Sequence, residues 1–211
     1  VIDHYMKSGE MVEAPVFTEG MISEASAIHE SYPEYLAREL KQKILETDDN
    51  PFDSEYFTNI EHADAREEPM REDSPCIILA TSGMLEGGPV LEYFKNIAPD
   101  KKNKVLFVSY QVNGTLGRRV LDGSKQATML GREGKVEVVT INCSVEKLDG
   151  FSGHSDYNQL MSFVQRLRPK LRRVLVNHGE RSKSKNLAMN IGRMYKVPAH
   201  FPQVQEAIKL F

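Results

Sequence analysis

The chain has 211 residues with 40% apolar side chains and a formal net charge of −3, a composition typical of a globular protein that buries a core. Its 2 cysteines are too few for a disulfide scaffold. No stretch approaches the about 18 unbroken apolar residues of a membrane span. The composition therefore excludes a disordered or membrane-spanning protein and favours one of the cytoplasm.

The charge is distributed unevenly along the chain. Residues 1–75 carry 6 basic and 19 acidic side chains, whereas residues 165–196 carry 10 basic side chains against Glu180 alone, a net +9. This basic cluster consists of Arg166, Arg168, Lys170, Arg172, Arg173, Arg181, Lys183, Lys185, Arg193 and Lys196. Such a cluster can bind phosphate groups, with an affinity that falls as salt rises. The alternative is a solvated helix surface without a ligand.

Short apolar runs alternate with amphipathic segments, which predicts an α/β fold with a parallel sheet. Residues 21–45 are expected to be helical with a break near Pro33, and residues 46–74 to form an irregular connection. The runs 76–80 and 105–108 are predicted to be strands covered on both faces. Further helices are expected over 86–97 and around 118–121, and a less buried strand over 135–142.

The alternation of helix and strand continues to the end of the chain. Asp156 followed by Gln159 predicts a capped helix start. The apolar stripe of that helix is formed by Leu160, Phe163, Val164 and Leu167. A strand is predicted over 173–177, and a helix over 183–195 with Leu187, Ile191 and Met194 pointing inward.

Four turns that lead into helices carry serine, threonine, glycine or histidine. They are residues 81–83, 113–115, 151–156 and 178–179. In a parallel sheet such turns lie along one edge, where the amino ends of the helices favour an anion. We therefore expect all four turns to line one crevice, although each alone is also explained as a tight connection.

His154 and His178 both stand at predicted element boundaries. A neutral imidazole is a good zinc ligand, and a protonated one can donate to a phosphate or a leaving group. Two histidines do not complete a zinc site, and the sequence has no His-x-His or Cys-x-x-Cys pair. The two histidines therefore predict a metal-binding or proton-donating site at this edge of the sheet, and both alternatives stay open.

Several segments together resemble a known family. Residues 151–156, Phe-Ser-Gly-His-Ser-Asp, and 174–180, Val-Leu-Val-Asn-His-Gly-Glu, resemble motifs B and C of the β-CASP branch of metallo-β-lactamase-fold nucleases. Residues 50–52, 80–88 and 110–119 are similar to segments of the β-CASP domain in the endonuclease subunit of the cleavage and polyadenylation specificity factor. The sequences of these segments are most similar to those of the archaeal homologues, and the resemblance covers essentially the whole chain.

The resemblance implies a fold and a domain division. Residues 1–147 would be a parallel-sheet β-CASP domain without its amino-terminal part, and residues 148–211 the carboxy-terminal βα segments of a metallo-β-lactamase-type αββα domain. The family's His-x-His-x-Asp-His signature is absent from this sequence. The chain is therefore expected to be the carboxy-terminal portion of a longer nuclease, inactive alone and unable to retain two zinc ions.

The resemblance also implies an activity, the hydrolysis of RNA phosphodiester bonds by a two-zinc endoribonuclease in RNA 3′-end processing or decay. His178 would be a metal ligand, His154 would contact the scissile phosphate and protonate the leaving oxygen, and Asp156 would cap its helix or support His154. The phosphate-facing wall would consist of Ser82, Gly83, Gly114, Thr115, Ser152 and Gly153, with Arg118 as a further contributor. Family analogy also implies a homodimer, in which residues 207–211 pair as an edge strand.

Two alternatives remain open from the sequence. A non-catalytic β-CASP scaffold subunit would bind RNA or partner proteins, and it would not need both histidines. A phosphate- or nucleotide-binding α/β module would explain the glycine-containing turns, but it predicts neither the paired histidines nor the basic segment. The sequence does not decide RNA preference or endonucleolytic against exonucleolytic cleavage.

Overall fold

The computed structural model describes residues 1–47, 49–71, 74–131, 134–151 and 153–210. The chain divides into two compact units, residues 1–152 and 153–211, which we call unit 1 and unit 2. In the described part of the chain, no helix is long and apolar enough to cross a membrane. A division by compactness does not locate the boundary between two family domains, so the predicted domain boundary between residues 147 and 148 stays a prediction.

Unit 1 contains six α-helices and seven strands among its described residues. The helices are α1 (Ile2–Lys7), α2 (Met21–Ser31), α3 (Arg38–Glu46), α4 (Glu68–Arg71), α5 (Val90–Ile97) and α6 (Leu116–Leu121). The strands are β1 (Val16–Glu19), β2 (Phe57–Asn59), β3 (Ile77–Ala80), β4 (Lys104–Phe107), β5 (Gln126–Leu130), β6 (Val136–Thr140) and β7 (Ser144–Lys147). A parallel sheet has the order β2-β1-β3, β4 pairs in parallel with β7, and β5 pairs with β6 antiparallel. The predicted α/β fold class with parallel strands is confirmed.

The core of unit 1 holds α5 and α6 against β4 and the β5–β6 hairpin. Phe94 of α5, Phe107 of β4 and Val120 of α6 belong to one buried apolar cluster with Ala127 and Val139 of the hairpin. Burying one large apolar side chain contributes about 1.5–3 kcal/mol. This packing fixes the turns that precede α5 and α6.

A buried carboxylate joins three distant segments at the carboxyl end of β1. The Glu19 Oε1 atom accepts a hydrogen bond from Arg66 Nη2 at 2.6 Å, and its Oε2 atom accepts one from the Tyr93 hydroxyl at 2.6 Å. Burial and the hydrogen bond to Glu19 raise the pKa of Tyr93 well above its usual range. A buried charge needs such partners, and Glu19 has both.

The break predicted near Pro33 is confirmed. Helix α2 ends at Ser31, a 3₁₀ turn follows at Pro33–Tyr35, and α3 begins at Arg38. Proline lacks the backbone donor that a continuous helix would need.

Two expectations about the first half of the chain were wrong. Residues 46–74 are not simply irregular, because they contain β2, a 3₁₀ helix at Ala63–Glu67 and α4. Helix α5 begins at Val90 and not at residue 86. Gly88 has a φ of +77°, a left-handed conformation that interrupts a helix, and Pro89 then precedes the first helical residue.

The expected burial of strands β3 and β4 on both faces was also wrong. Every residue of β3 is half-buried. On β4, Phe107 is buried while Leu106 is 44% exposed. Strand β4 pairs with β7 in a two-stranded sheet, so the core covers only the face that carries Phe107.

Unit 2 is a smaller arrangement of helices and parallel strands. Its elements are α7 (Tyr157–Leu167), a 3₁₀ turn (Arg168–Lys170), β8 (Val174–Leu175), α8 (Arg181–Tyr195) and β9 (Ala199–His200). Strands β8 and β9 pair in parallel, with Val174 opposite Ala199. Met161 and Val164 of α7 and Ile191 of α8 form its buried centre.

Some side chains and one segment of unit 2 differ from their predictions. Phe163 is 62% exposed and Met194 is 57% exposed, although both were predicted to point inward. Helix α7 instead buries Met161, which rotates its inward face away from Phe163. Residues 207–210 form no strand, residue 211 lies outside the described residues, and their pairing in a homodimer stays a prediction.

Candidate functional site

The turns after β3 and β4 lie against each other in unit 1. The Gln111 side chain donates from Nε2 to the Gly83 carbonyl at 2.8 Å and to the Ser109 carbonyl at 3.2 Å. The backbone N–H of Gly117 donates to the Met84 carbonyl at 2.8 Å. These hydrogen bonds bring the predicted residues Ser82, Gly83, Gly114, Thr115 and Arg118 into one region of unit 1.

Glycine is required at this contact for steric reasons. A Cβ atom on Gly117 would overlap the Gln111 Oε1 atom and would lie 2.8 Å from the Met84 carbonyl oxygen. A Cβ atom on Gly83 would lie 2.7 Å from Ser109 Oγ. Gln111 itself is 1% exposed, and its Oε1 atom has no hydrogen-bond partner among the described residues. The two turns are therefore in contact through the buried Gln111 side chain and through the backbone hydrogen bond from Gly117 to Met84.

Side chains of the protein already occupy the amino end of α6. Thr115 is the N-cap: its Oγ1 accepts from the Arg118 N–H at 3.2 Å and donates to the Val112 carbonyl at 2.7 Å. The N–H of Leu116 donates to the Glu86 carboxylate. A phosphate that reaches Gly114 or Thr115 has to compete with Glu86, so their phosphate contacts stay a prediction.

Arg118 is held beside α6 by an acidic neighbour. Its Nε donates to Asp122 Oδ2 at 2.9 Å, and its Nη2 lies 2.8 Å from Asp122 Oδ1. An exposed i,i+4 pair contributes only about 0.3–0.5 kcal/mol. Arg118 could therefore leave Asp122 and bind a phosphate oxygen at a small cost in free energy.

In unit 2, His154 lies just before α7 and is exposed, as is Gly153. Asp156 caps the helix: its side chain accepts from the Gln159 N–H at 2.8 Å, and the Gln159 side chain accepts from the Asp156 N–H at 2.9 Å. The predicted cap is confirmed. Ser152 lies outside the described residues.

His178 is exposed and has an unusual backbone conformation. Its φ is +60°, and its N–H donates to Asn177 Oδ1 at 2.7 Å. A left-handed conformation costs a residue with a Cβ about 1–2 kcal/mol. Leu85, Lys196 and Gln205 also have a positive φ, so this conformation does not by itself identify a site, and the role of His178 stays a prediction.

The two histidines lie at the same end of unit 2. Helix α7 leads through its 3₁₀ turn into the amino end of β8 and packs beside that strand, so its own amino end lies at the strand's carboxyl end. His154 precedes α7, and His178 follows β8 by three positions. The predicted crevice also needs turns from unit 1, and it stays a prediction.

The described residues do not by themselves fit a zinc ion. They include no group of three or more His, Cys, Asp or Glu side chains that could hold a metal, and a protein zinc site uses three or four ligands. His178 can supply one imidazole. Any zinc site that uses it therefore needs ligands beyond the described part of this chain.

The sequence did not identify Glu86, Gln111 or Phe163 as candidate site residues. Glu86 and Gln111 lie inside the segments 80–88 and 110–119, in which the glycines carry the sequence signal. Phe163 was placed in the apolar stripe of α7 by its spacing alone. The periodic spacing of the apolar residues predicts the helix, but it does not determine which of several neighbouring apolar residues is buried.

Comparison with known proteins gives two family matches. Residues 1–120 match the Beta-Casp domain, and residues 138–202 match the Zn-dependent metallo-hydrolase RNA specificity domain. Together they follow the chain in the order that the sequence motifs predict.

Several curated archaeal relatives cover the whole chain or nearly so. The chain is 80% identical over its full length to transcription termination factor FttA of Cenarchaeum symbiosum (strain A), and it covers 33% of that protein. It is 46% identical over 93% of its length to the FttA of Methanocaldococcus jannaschii, covering 31% of it, and 44% identical over 100% of its length to that of Pyrococcus horikoshii, covering 32%. The chain thus spans about a third of the length of these relatives.

Proposed function

Because the chain belongs to the β-CASP family, we propose that it is part of a metal-dependent ribonuclease that hydrolyses RNA phosphodiester bonds in 3′-end formation, processing or decay. The observation that carries the proposal is the pair of exposed imidazoles, His154 and His178, at one end of unit 2. The match of residues 138–202 to an RNA specificity domain supports RNA as the substrate.

In this proposal His154 acts at the scissile phosphate. It stands just before α7, an 11-residue helix whose amino end favours an anion. A protonated imidazole there donates to the leaving oxygen. Asp156 acts indirectly, because its capping box fixes where α7 begins and so where His154 stands.

His178 in this proposal supplies one ligand of a zinc ion, with the other ligands coming from outside the described residues. Ser82, Gly83 and Gly153 face the RNA backbone, and Arg118 exchanges Asp122 for a phosphate. Arg118 can make this exchange because its exposed ion pair with Asp122 is weak.

We further propose that this activity serves transcription termination, the function named for the relatives. Cleavage of a transcript would separate its 5′ part from the site of synthesis. The competing proposal is termination by a scaffold that binds RNA without cutting it, and the exposed histidine pair favours cleavage.

The test uses the complete protein with His154→Ala, His178→Ala and the matched control His62→Ala, an exposed histidine of unit 1. We expect His154→Ala to lower RNA cleavage by about 100-fold or more, as loss of a general acid does, with zinc content unchanged. His178→Ala is expected to lower both cleavage and zinc content, and His62→Ala neither.

The same variants separate the two proposals for termination. If cleavage carries termination, His154→Ala abolishes both in a transcription assay. Normal termination by a cleavage-deficient His154→Ala protein would establish the scaffold function instead, and normal cleavage by this variant would refute the role of His154.

A further inference from the structure

Most basic side chains of unit 2 lie at the end opposite His178. Strands β8 and β9 are parallel, with Val174 opposite Ala199, so the residues just before each strand share one end. Arg172 precedes β8 by two positions and Lys196 precedes β9 by three. Six exposed side chains gather at this end, which we call the distal basic patch: Arg166, Arg168, Lys170, Arg172, Arg193 and Lys196.

The distal basic patch is well separated from the histidines. Helix α8 runs from the His178 end of unit 2 back to the amino ends of the strands, and it has 15 residues. At a rise of 1.5 Å per residue its two ends are about 20 Å apart. Contacts made at the patch are therefore not contacts with the phosphate beside His154.

The charges of the patch are not neutralised by the described residues. In unit 1, Lys7, Lys43, Arg66, Lys95 and Lys104 each make an ion pair with a carboxylate. Arg168, Lys170 and Arg172 make no ion pair within the described ranges, and the same holds for the exposed Lys101, Lys102 and Lys125 of unit 1, which serve as matched controls below. The negative carboxyl ends of α7 and α8 stabilise the charges of Arg166 and Arg193, which lie in the last turns of these helices. Lys170 and Arg172 lie outside both helices, so the helix dipoles do not explain their positions.

An exposed aromatic ring adjoins the patch. Phe163 is 62% exposed and precedes Arg166 by three positions on α7, a spacing that places both side chains on one face of the helix. Sites for single-stranded nucleic acid combine basic groups for the backbone with aromatic rings on which bases stack. Phe163 beside the patch has this combination.

We propose that the distal basic patch and Phe163 form a second binding site for single-stranded RNA, which holds the transcript away from the cleaved bond. The proposal rests on the proposed function, since it assigns another part of the same RNA to this chain. Four of the six patch residues are arginines, whose planar guanidinium matches phosphate geometry. An acidic protein segment would use the charges but would have no need of the exposed ring.

The test measures binding of the complete protein to an unstructured oligouridylate at several salt concentrations. The patch variant carries Arg168→Gln, Lys170→Gln and Arg172→Gln. Its control carries Lys101→Gln, Lys102→Gln and Lys125→Gln, three exposed lysines of unit 1, so both variants lose the same charge. We expect the patch variant alone to reduce the log–log salt slope, by up to about 2 units if all three residues touch phosphates.

The ring is tested separately with Phe163→Leu and Phe163→Tyr. Loss of stacking with one base should weaken binding by about 5-fold to 100-fold, without changing the salt slope, and Phe163→Tyr should keep the parent affinity. Because Phe163 is exposed, neither change should lower the thermal unfolding midpoint.

The outcomes separate this proposal from the proposed function. A parent protein that cleaves RNA, combined with equal salt slopes for the patch variant and its control, overturns the second site and leaves an acidic protein segment as the partner to test. A parent protein that binds no oligouridylate overturns both proposals.

Discussion

Replacing Gly117 by alanine tests the contact between the turns after β3 and β4. The added methyl group would overlap the Gln111 Oε1 atom and would lie 2.8 Å from the Met84 carbonyl oxygen. The backbone of Met84 is fixed by its hydrogen bond from the Gly117 N–H, so the Gln111 side chain has to move. Its amide would then lose the hydrogen bonds to Gly83 and Ser109.

The expected cost follows from three contributions. Overpacking of a close contact costs about 1–3 kcal/mol. Leaving polar groups of a buried amide unpaired costs about 1–3 kcal/mol. Alanine is a better helix former than glycine by about 1 kcal/mol, and Gly117 lies in α6. We therefore expect the free energy of unfolding to fall by about 1–5 kcal/mol.

The assay is urea unfolding followed by a probe in unit 1, with two other glycines as controls. A Cβ atom on Gly87 would have nothing within 4 Å, so Gly87→Ala should change stability by at most about 0.5 kcal/mol. Gly114 also has open space but a φ of +93°, so Gly114→Ala should cost about 1–2 kcal/mol through its backbone alone. A Gly117→Ala protein as stable as Gly87→Ala would refute the reasoning.

Four further outcomes are expected. Asp156→Ala should destabilise unit 2 by about 1 kcal/mol in urea unfolding, whereas Asp156→Asn, also a good N-cap, should cost less. Glu86→Gln should strengthen RNA binding if a phosphate competes with this carboxylate at α6, and unchanged binding would place RNA elsewhere. Burial raises the pKa of the Cys143 thiol, so its contribution to stability is complete below the pKa of an unfolded cysteine and is lost as the pH rises above it; alkylation of Cys143 should accordingly lag behind Cys76 until urea is added. Metal analysis of the 211-residue chain after gel filtration should find fewer than two zinc ions per chain.

The sequence predicted the elements that have a strong local signal. The helix break at Pro33, the capping box at Asp156 and the strand at Ile77–Ala80 all follow from residue types within a few positions of one another. The alternation of strand and helix was also sufficient for the α/β class. These features depend on local chemistry, which a single sequence contains.

Elements that depend on distant partners were missed. Strand β1 is 4 residues long and gains its order from β2 and β3 on either side. The strands β5 and β7 were likewise not predicted, although β5 pairs with the predicted strand β6. At the candidate site, the glycines and histidines can be read from the sequence, but the hydrogen bond from Leu116 to Glu86 and the hydrogen bonds of Gln111 depend on tertiary contacts that spacing does not reveal.

The Glu19 cluster has a consequence for synthesis of the chain. Glu19 and the Tyr93 hydroxyl are separated by 74 positions, which a ribosome takes about 4–15 s to add at roughly 5–20 residues per second. Until Arg66 is made, 47 positions after Glu19, the carboxylate lacks its ion-pair partner, and until β3 (Ile77–Ala80) is made, one edge of β1 is open to other chains. The 19 acidic side chains against 6 basic ones in residues 1–75 give emerging copies a strong mutual repulsion at this stage. This repulsion opposes association of nascent chains through the open edge of β1.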